Sequence, residues 1–298
     1  MKFGKVARPD LVDFSLPETA KGTAQSLGMI SPRQQELRVA VGCAQWNRNE
    51  LKGFYPRGTK DELRYYSKRF NSVELNATFY KQYPREQFEI WREKTPEGFL
   101  FFPKLTQEIS HWKQLSKVSD EVNVFLDAIG GLGDRLGTVF LQLHPSFSPD
   151  DYVHLAQFIT GWPQGIPLAV ELRNERWYTD EGEKTGYRSH FRNFGIGNIL
   201  VDTAGRRDML HMELTNKEAF IRFVGANHPS DYDRLDAWVQ RILAWSDAGL
   251  EKLDFFIHQN VEEEVPMLAN HFIEKLNQVL HLQLTIPKET EQQQLSLF

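Results

Sequence analysis

Eight short runs of mainly apolar residues recur along the chain and predict β-strands. Between most of these runs the apolar residues repeat every three or four positions, as in Leu63, Tyr66 and Phe70, which is typical of amphipathic helices. The segment 204–218 is the exception, because it shows no helical repeat. The predicted strands are 38–46, 72–80, 99–106, 137–145, 167–174, 197–203, 219–227 and 252–260.

Strands that alternate with helices predict an all-parallel α/β protein, and a count of eight favours a closed (β/α)8 TIM barrel. A doubly wound sheet is the alternative. The chain of 298 residues, 41% of them hydrophobic, is long enough to bury a large core. We expect an N-terminal extension over 1–37, the barrel domain over 38–286 and a flexible tail over 287–298.

The stretch "SVELNATFY", residues 72–80, places apolar and polar residues on opposite parities. In a parallel barrel one parity packs under the helices and the other faces the interior. We therefore expect the side chains of Val73, Leu75 and Ala77 to face the helices. Glu74, Asn76 and Thr78 are then expected to point inward.

The other strands repeat this pattern and place further polar side chains inward, mostly near the carboxyl ends where barrel enzymes keep their sites. Burying that many charges costs several kcal/mol for each unpaired ion, so pairing or function must account for them. The expected inward residues are Lys104, Gln142, His144, Glu171, Arg173, Asp202, Arg222, His258 and Asn260.

Two interpretations of this charged interior remain open. It is either a salt-bridged plug that only stabilises the fold, or an anion pocket in which Lys104, Arg173 and Arg222 hold a phosphate or carboxylate. In the second case the candidate catalytic residues are Glu74, Glu171 and Asp202, acting by proton transfer. The other candidate substrate-binding residues are Asn76 and Gln142, which would orient a hydroxyl or a water, and the strand-end aromatics Trp46, Tyr80 and Trp177, which would line a cleft or cap the barrel.

Composition limits the remaining classes of function. The net charge of −5 argues against strong direct binding to DNA. The single cysteine, Cys43, excludes an internal disulfide, and no apolar stretch is long enough to span a membrane, so we expect a cytoplasmic protein. No cofactor is predicted; a divalent metal held by His144, Glu171, Asp202 or His258 is the alternative, although no established metal motif is present.

Several motifs resemble the YecE-like TIM-barrel family, catalogued as domain of unknown function seventy-two, over residues 39–280. The family has no established reaction, so the resemblance implies a barrel and candidate positions without an activity. The motifs are Trp46 with "FYP" at 54–56, "VELNATFY" at 73–80, "FPK" at 102–104, "FLQLHPSF" at 140–147, "AVELRNERW" at 169–177, Asp202 and "RFVG" at 222–225.

The chain ends in "QLSLF", which resembles the bacterial sliding-clamp-binding motif carried on flexible tails of polymerases and repair proteins. The three apolar side chains would fill pockets and the glutamine would form hydrogen bonds as the tail orders on binding. The alternative is a tail that docks on its own barrel. The residues concerned are Gln294, Leu295, Ser296, Leu297 and Phe298.

Three hypotheses of function follow. The first is a hydrolase or nuclease-like enzyme that acts on a phosphate-bearing substrate and is recruited to DNA by a clamp, because tethering offsets weak direct DNA binding. The second is a small-molecule enzyme such as a sugar-phosphate isomerase or epimerase. The third is a clamp-associated binding protein without catalysis.

Overall fold

Parallel β-strands form the centre of the computed structural model, which describes residues 4–28 and 36–287. Six strands form one sheet in the order β3-β2-β1-β9-β8-β7, and three form a second in the order β4-β5-β6. Isolated bridges from Phe101 to Leu136 and from Lys104 to Phe140 connect β3 with the β4 edge. The strands are β1 (Arg38–Cys43), β2 (Ser72–Leu75), β3 (Leu100–Pro103), β4 (Val139–Gln142), β5 (Leu168–Glu171), β6 (Gly197–Asn198), β7 (Leu200–Asp202), β8 (Glu218–Gly225) and β9 (Lys252–Gln259).

Helices follow most of these strands, and the prediction of a parallel α/β fold is confirmed. The predicted sixth strand is interrupted at Ile199, so that β6 and β7 belong to different sheets. The helices are α1 (Lys21–Leu27), α2 (Glu62–Tyr66), α3 (Ala77–Tyr80), α4 (Arg85–Glu93), α5 (Ser119–Ile129), α6 (Tyr152–Gly161), α7 (Asp180–Thr185), α8 (Tyr187–Phe194), α9 (Ser230–Asp247) and α10 (Val265–Leu280).

The two faces of the strands build two separate apolar clusters. Val73, Leu75 and Cys43 belong to the larger cluster, which packs against the helices as their parity predicts. On the opposite face, which we call the inner face, Phe140 of the second sheet lies 5.6 Å from Phe220 of the first, measured between ring centroids. The inner faces of the two sheets therefore share one apolar layer.

The stretch 72–80 is a strand for only half its length. β2 ends at Leu75, and Ala77–Tyr80 forms the short helix α3. The side chain of Thr78 turns back, where its hydroxyl donates to the carbonyl of Lys104 at 2.7 Å. The prediction of an inward strand position for Thr78 is therefore wrong, because the local hydrogen bonds of the turn replace the ladder at that point.

The segment 204–218, which shows no helical repeat, is covered by the N-terminal helix α1. Thr23 donates to the carbonyl of Met212 and accepts from the amide of Leu214, both at 2.8 Å. Because α1 also approaches Arg192 on α8 and Gly249 just after α9, it covers the stretch between β7 and β8, which holds the short 3-10 helix Arg207–Met209. The predicted tail, 287–298, lies outside the described residues except for its first position.

Candidate functional site

A buried arginine on β8 lies between two buried glutamates from the other strands. Arg222 donates from Nε and Nη2 to Glu74 at 2.9 and 2.8 Å, and from Nη1 to Glu171 at 2.5 Å. The Arg222 side chain is 1% exposed and neither glutamate side chain is exposed at all. The prediction that residues from distant parts of the sequence meet at one interior site therefore holds for these three.

Both glutamates stay ionised because their oxygens are fully engaged. Burial alone would raise the pKa of Glu171, but the positive charges of Arg222 and Arg173 outweigh it and lower this pKa to about 2. Arg222, followed by His258, likewise outweighs burial and holds the pKa of Glu74 well below its usual range. Neither carboxylate is therefore poised to exchange a proton near neutral pH.

A ring of polar side chains completes the hydrogen bonds of this pair. Asn76 donates to Glu74 at 2.6 Å, and His258 Nε2 lies 3.1 Å from the same carboxylate. Gln142 and Arg173 donate to Glu171 at 2.9 and 2.6 Å. The structure thus brings Glu74, Asn76, Gln142, Glu171, Arg173 and Arg222 together, as the sequence predicts.

Lys104 joins this cluster without an acidic partner. Its Nζ donates to Gln142 Oε1 at 2.7 Å and lies 4.1 Å from the ring centre of Phe79. Within the described part of the chain, no carboxylate oxygen lies within 4 Å of Nζ. Burial, followed by the charges of Arg222 and Arg173, lowers the pKa of Lys104 to about 7. Glu74 and Glu171 therefore face three basic side chains, Arg222, Arg173 and the partly protonated Lys104. His258 lies between Glu74 and a further buried carboxylate, Glu262, which is 3.9 Å from its Nδ1.

Two half-buried histidines lie on the outer side of Lys104. His111 contacts His144, with 5.1 Å between ring centroids, and Phe79, at 4.8 Å. Burial, followed by the charge of Lys104, lowers the pKa of His111 to about 4. Sequence reasoning missed His111 because it lies in the π-helical turn Glu108–Trp112, where no strand parity applies. The sequence did contain one signal for His111, its position shortly after β3. Ligand sites in α/β proteins lie beyond the carboxyl ends of strands, so residues in that position are candidates.

Asp202 does not belong to this site, and its predicted inward orientation is wrong. Val201 pairs with Arg222 and shares its face, so Asp202 points to the other side, towards α9. Its carboxylate accepts from Trp238 Nε1 at 2.9 Å, lies 2.8 Å from Arg234 and contacts Arg207. Burial would raise the pKa of Asp202, but the charges of Arg234 and Arg207 lower it.

The three aromatic candidates lie apart from the charged cluster. Trp177 is fully buried and donates to the carbonyl of Phe147 at 2.9 Å. Trp46 packs edge-on against Trp91 and Phe101 on the helix side. Both side chains therefore support the fold and do not line the site as predicted. Tyr80 is 72% exposed.

The end of β8, a common phosphate-binding position in barrels, is occupied by a carboxylate of the chain itself. Asp231 accepts from the amides of Ala226 and Asn227 at 2.9 and 3.0 Å. Because these amides already have a negatively charged partner, an external anion would have to displace it. The end of β8 therefore differs from the cluster around Lys104, whose amine has no acidic partner.

The opposite end of the inner face holds a separate, paired lysine. Lys252 donates to Thr138 at 2.6 Å and lies 3.1 Å from Asp254. Burial raises the pKa of Asp254 to about 6. Lys252 therefore differs from Lys104 in having an acidic partner.

The described residues contain neither a cluster of metal-ligating side chains nor a membrane-spanning helix. In ranges 4–28 and 36–287, no three His, Cys, Asp or Glu side chains gather as a metal ion would require. Within the same ranges, none of the helices has the length and apolar character needed to cross a bilayer.

The fold and site define a parallel α/β protein with a buried charged centre built from residues in the carboxyl-terminal halves of its strands. The chain belongs to the family described as "Protein of unknown function DUF72", whose model matches residues 40–294. The resemblance inferred from the sequence motifs is therefore confirmed.

Two curated relatives carry family names without an activity. UPF0759 protein YecE of Escherichia coli K12 is 26% identical over 264 residues, covering 81% of this chain and 94% of YecE. UPF0759 protein YunF of Bacillus subtilis is 27% identical over 150 residues, covering 47% of this chain and 52% of YunF.

Solved structures of the family share the fold. A DUF72 protein from Enterococcus faecalis V583 is similar with a TM-score of 0.63 and 18% identity, covering 83% of this chain and 99% of that one. A DUF72 protein from Thermotoga maritima MSB8 gives a TM-score of 0.63 and 24% identity, covering 80% and 99%. At these identities the likeness concerns the fold alone.

Proposed function

We propose that the strands close into a single (β/α)8 barrel over residues 38–286. The bridges between β3 and the β4 edge support this proposal at one junction. At the other, β6 and β7 are separated by one residue, Ile199, whose amide donates to Val170 of β5 at 2.9 Å. The shared phenylalanine layer of the inner faces fits the filled interior of such a barrel.

We propose that the protein is an enzyme that hydrolyses a phosphate-bearing substrate at the carboxyl ends of the strands. The observation that carries this proposal is Lys104, a buried amine beside Arg173 and Arg222 with no carboxylate of its own. A phosphate bound between Lys104 and Arg173 would supply the missing negative charge. Glu74 and Glu171 hold the arginines in place, because their lowered pKa values make them poor proton acceptors.

The proposed chemistry assigns proton transfer to Lys104. Binding of the phosphate raises the pKa of Lys104 from about 7, so the amine takes up a proton. In the proposed step a water attacks phosphorus and passes its proton to a phosphoryl oxygen while the bond from phosphorus to the leaving oxygen breaks. The Lys104 ammonium stabilises the charge of the phosphoryl group and donates a proton to the leaving oxygen. Gln142, hydrogen-bonded to both Lys104 and Glu171, fixes the position of the amine.

Proton uptake on binding of inorganic phosphate tests the first step. We expect uptake approaching one proton at about pH 8, and little at about pH 6, where Lys104 is already protonated. Calorimetric titration in two buffers with different ionisation enthalpies measures it. Lys104→Met is expected to abolish the uptake, whereas Lys252→Met, at the opposite end of the inner face, is expected to retain it.

Hydrolysis of p-nitrophenyl phosphate and its diester tests the reaction. We expect kcat/KM in Lys104→Met to fall about 100-fold or more, as for loss of a general acid. Lys252→Met, with its melting temperature measured in parallel, is the matched control. Phosphate binding without any turnover would favour a binding protein, and absence of binding would favour the salt-bridged plug.

We also propose that the tail recruits this enzyme to a bacterial DNA sliding clamp, which would place it in the cytoplasm. The supporting observation is the sequence "QLSLF" alone, since Gln294–Phe298 lie outside the described residues. The family match ends at Gln294, so the last four residues lie beyond it. Capture of the full chain by an immobilised clamp, and loss of capture for a chain that ends at Gln293, would support this proposal. Equal capture of both would contradict it.

A further inference from the structure

A cavity of about 300 Å3 lies beside the charged centre, between α5 and the segments that follow β2 and β3. Its lining includes Tyr80, which is 72% exposed, and Trp112, which is 69% exposed. Large aromatic side chains that remain this exposed next to a concave surface are typical of binding sites. We call this cavity the aromatic cleft.

Carboxylates surround the aromatic cleft. Glu108, Asp120 and Glu121 line it, and Lys113 bridges two of them, at 3.3 Å from Glu108 and 2.5 Å from Glu121. Ionised carboxylates only accept hydrogen bonds. With three carboxylates against one lining lysine, Lys81, the cleft disfavours a phosphate and suits a neutral group that donates in several directions, as the hydroxyls of a sugar ring do. A nucleobase fits less well, because most of its ring-edge atoms are acceptors.

Phe79 forms a wall shared by the aromatic cleft and the charged centre. Its ring lies 4.1 Å from Lys104 Nζ, and its centroid is 4.9 Å from that of Tyr80. Phe79 also lines the cleft itself. A ligand in the cleft thus lies one aromatic ring away from the unpaired amine.

We infer that the aromatic cleft holds the sugar ring of the substrate, which is a phosphorylated sugar. The apolar face of the ring packs on Tyr80 and Trp112, and its hydroxyls donate to the carboxylates. Its phosphate extends past the Phe79 wall towards Lys104 and Arg173, which do not themselves line the cleft. Placement of the phosphate rests on the proposed function, whereas placement of the ring rests on the cleft alone.

Ligand-observed NMR and titration of tryptophan fluorescence test this inference with separate probes. Glucose and ribose present the ring alone, glycerol 3-phosphate presents the phosphate alone, and glucose 6-phosphate and ribose 5-phosphate present both. Each probe is measured on the wild type, Trp112→Ala, Tyr80→Ala and Lys104→Met. Phe194→Ala, which removes an exposed aromatic ring on α8, is the control.

The inference expects Trp112→Ala and Tyr80→Ala to weaken the Kd of both sugar phosphates about tenfold or more and to abolish saturation transfer to the free sugars. Binding of glycerol 3-phosphate to these two variants stays at the wild-type level and is lost in Lys104→Met. If glycerol 3-phosphate fails to bind the wild type while sugars bind the cleft, the proposed phosphate site is wrong and the ring site stands. If Trp112→Ala binds the sugar phosphates as the wild type does, the sugar assignment is overturned.

Discussion

Two buried arginines, Arg222 and Arg234, have similar immediate surroundings and different neighbours further out. Each side chain is 1% exposed and lies between two carboxylates: Glu74 and Glu171 for Arg222, and Asp202 and Asp231 for Arg234. Buried ion pairs alone therefore do not distinguish a functional centre from a structural one.

The side chains further from the two arginines differ in their total charge and in the aromatic rings that pack on the guanidinium. Around Arg234, the second cation Arg207 brings the count to two cations and two carboxylates, and the rings of Phe14 and Phe223 lie 4.5 and 4.3 Å from the guanidinium. Around Arg222 the basic side chains outnumber the carboxylates because of Lys104. The sign of the leftover charge, more than the burial of the pairs, therefore distinguishes the two clusters, and it supports the proposal that an external anion binds beside Arg222.

Removal of each arginine should lower the free energy of unfolding by a different amount in the two clusters. Arg222→Met is expected to cost about 3–5 kcal/mol of the free energy of unfolding, because it leaves two carboxylates buried together. Arg234→Met is expected to cost roughly 1–3 kcal/mol, since Asp202 keeps Arg207 and Trp238, and Asp231 keeps its backbone amides. Urea unfolding measures both values, and equal losses would remove the distinction.

Lys104 should make the Arg222 cluster the pH-sensitive one. Its folded pKa of about 7 lies below the unfolded value of 10.5, so the unfolded chain binds more protons between these limits and stability rises with pH. Relative to Lys104→Met, the wild type is expected to gain at most about 1.4 kcal/mol per pH unit from about pH 7 upwards.

Urea unfolding of the wild type and of Lys104→Met at about pH 7, 8 and 9 measures this difference. The same series on the wild type and Arg234→Met is the control, because no lysine pairs with the carboxylates of that cluster in the described structure. A difference between wild type and Lys104→Met that stays constant with pH would contradict the lowered pKa.

Charge removal should change anion binding at one cluster only. Glu171→Gln increases the positive surplus while Arg222 keeps its contact with Glu74, so the Kd of inorganic phosphate is expected to fall about tenfold. Asp202→Asn is expected to leave the phosphate affinity unchanged, because its carboxylate faces α9. Calorimetric titration of both variants measures these affinities. A changed Kd in Asp202→Asn would show that the phosphate does not bind at the Arg222 cluster alone.

Removal of an aromatic ring that packs on Arg234 should have the smallest effect on the free energy of unfolding. Phe14→Ala removes a ring from the Arg234 guanidinium and is expected to cost about 0.5–1 kcal/mol in unfolding free energy. Phosphate affinity should stay at the wild-type level. A parallel loss of phosphate binding would show that the two clusters communicate.

Strand parity predicted most of the Arg222 cluster because β2, β5 and β8 each have one clearly apolar face. It failed for Asp202, since apolar residues occur on both parities of "NILVD", Ile199 and Val201 on one and Leu200 on the other, and the strand is interrupted at Ile199. Parity also says nothing about residues in turns, which is why His111 and Trp112 were missed. The lack of a helical repeat in 204–218 was visible in the sequence, but the docking of α1 was not, because few sequence cues identify contacts between distant segments.

Helix α1 is synthesised long before the segment on which it packs. Thr23 and its partner Met212 are 189 residues apart, so at a translation rate of about 5–20 residues per second the helix waits roughly 10–40 seconds for its binding surface. During that interval Leu27, buried in the finished protein, has no place to pack. The growing chain therefore presents Leu27 unpacked during this interval, and a protein fused ahead of α1 would have to leave the helix free to reach Met212 and Leu214.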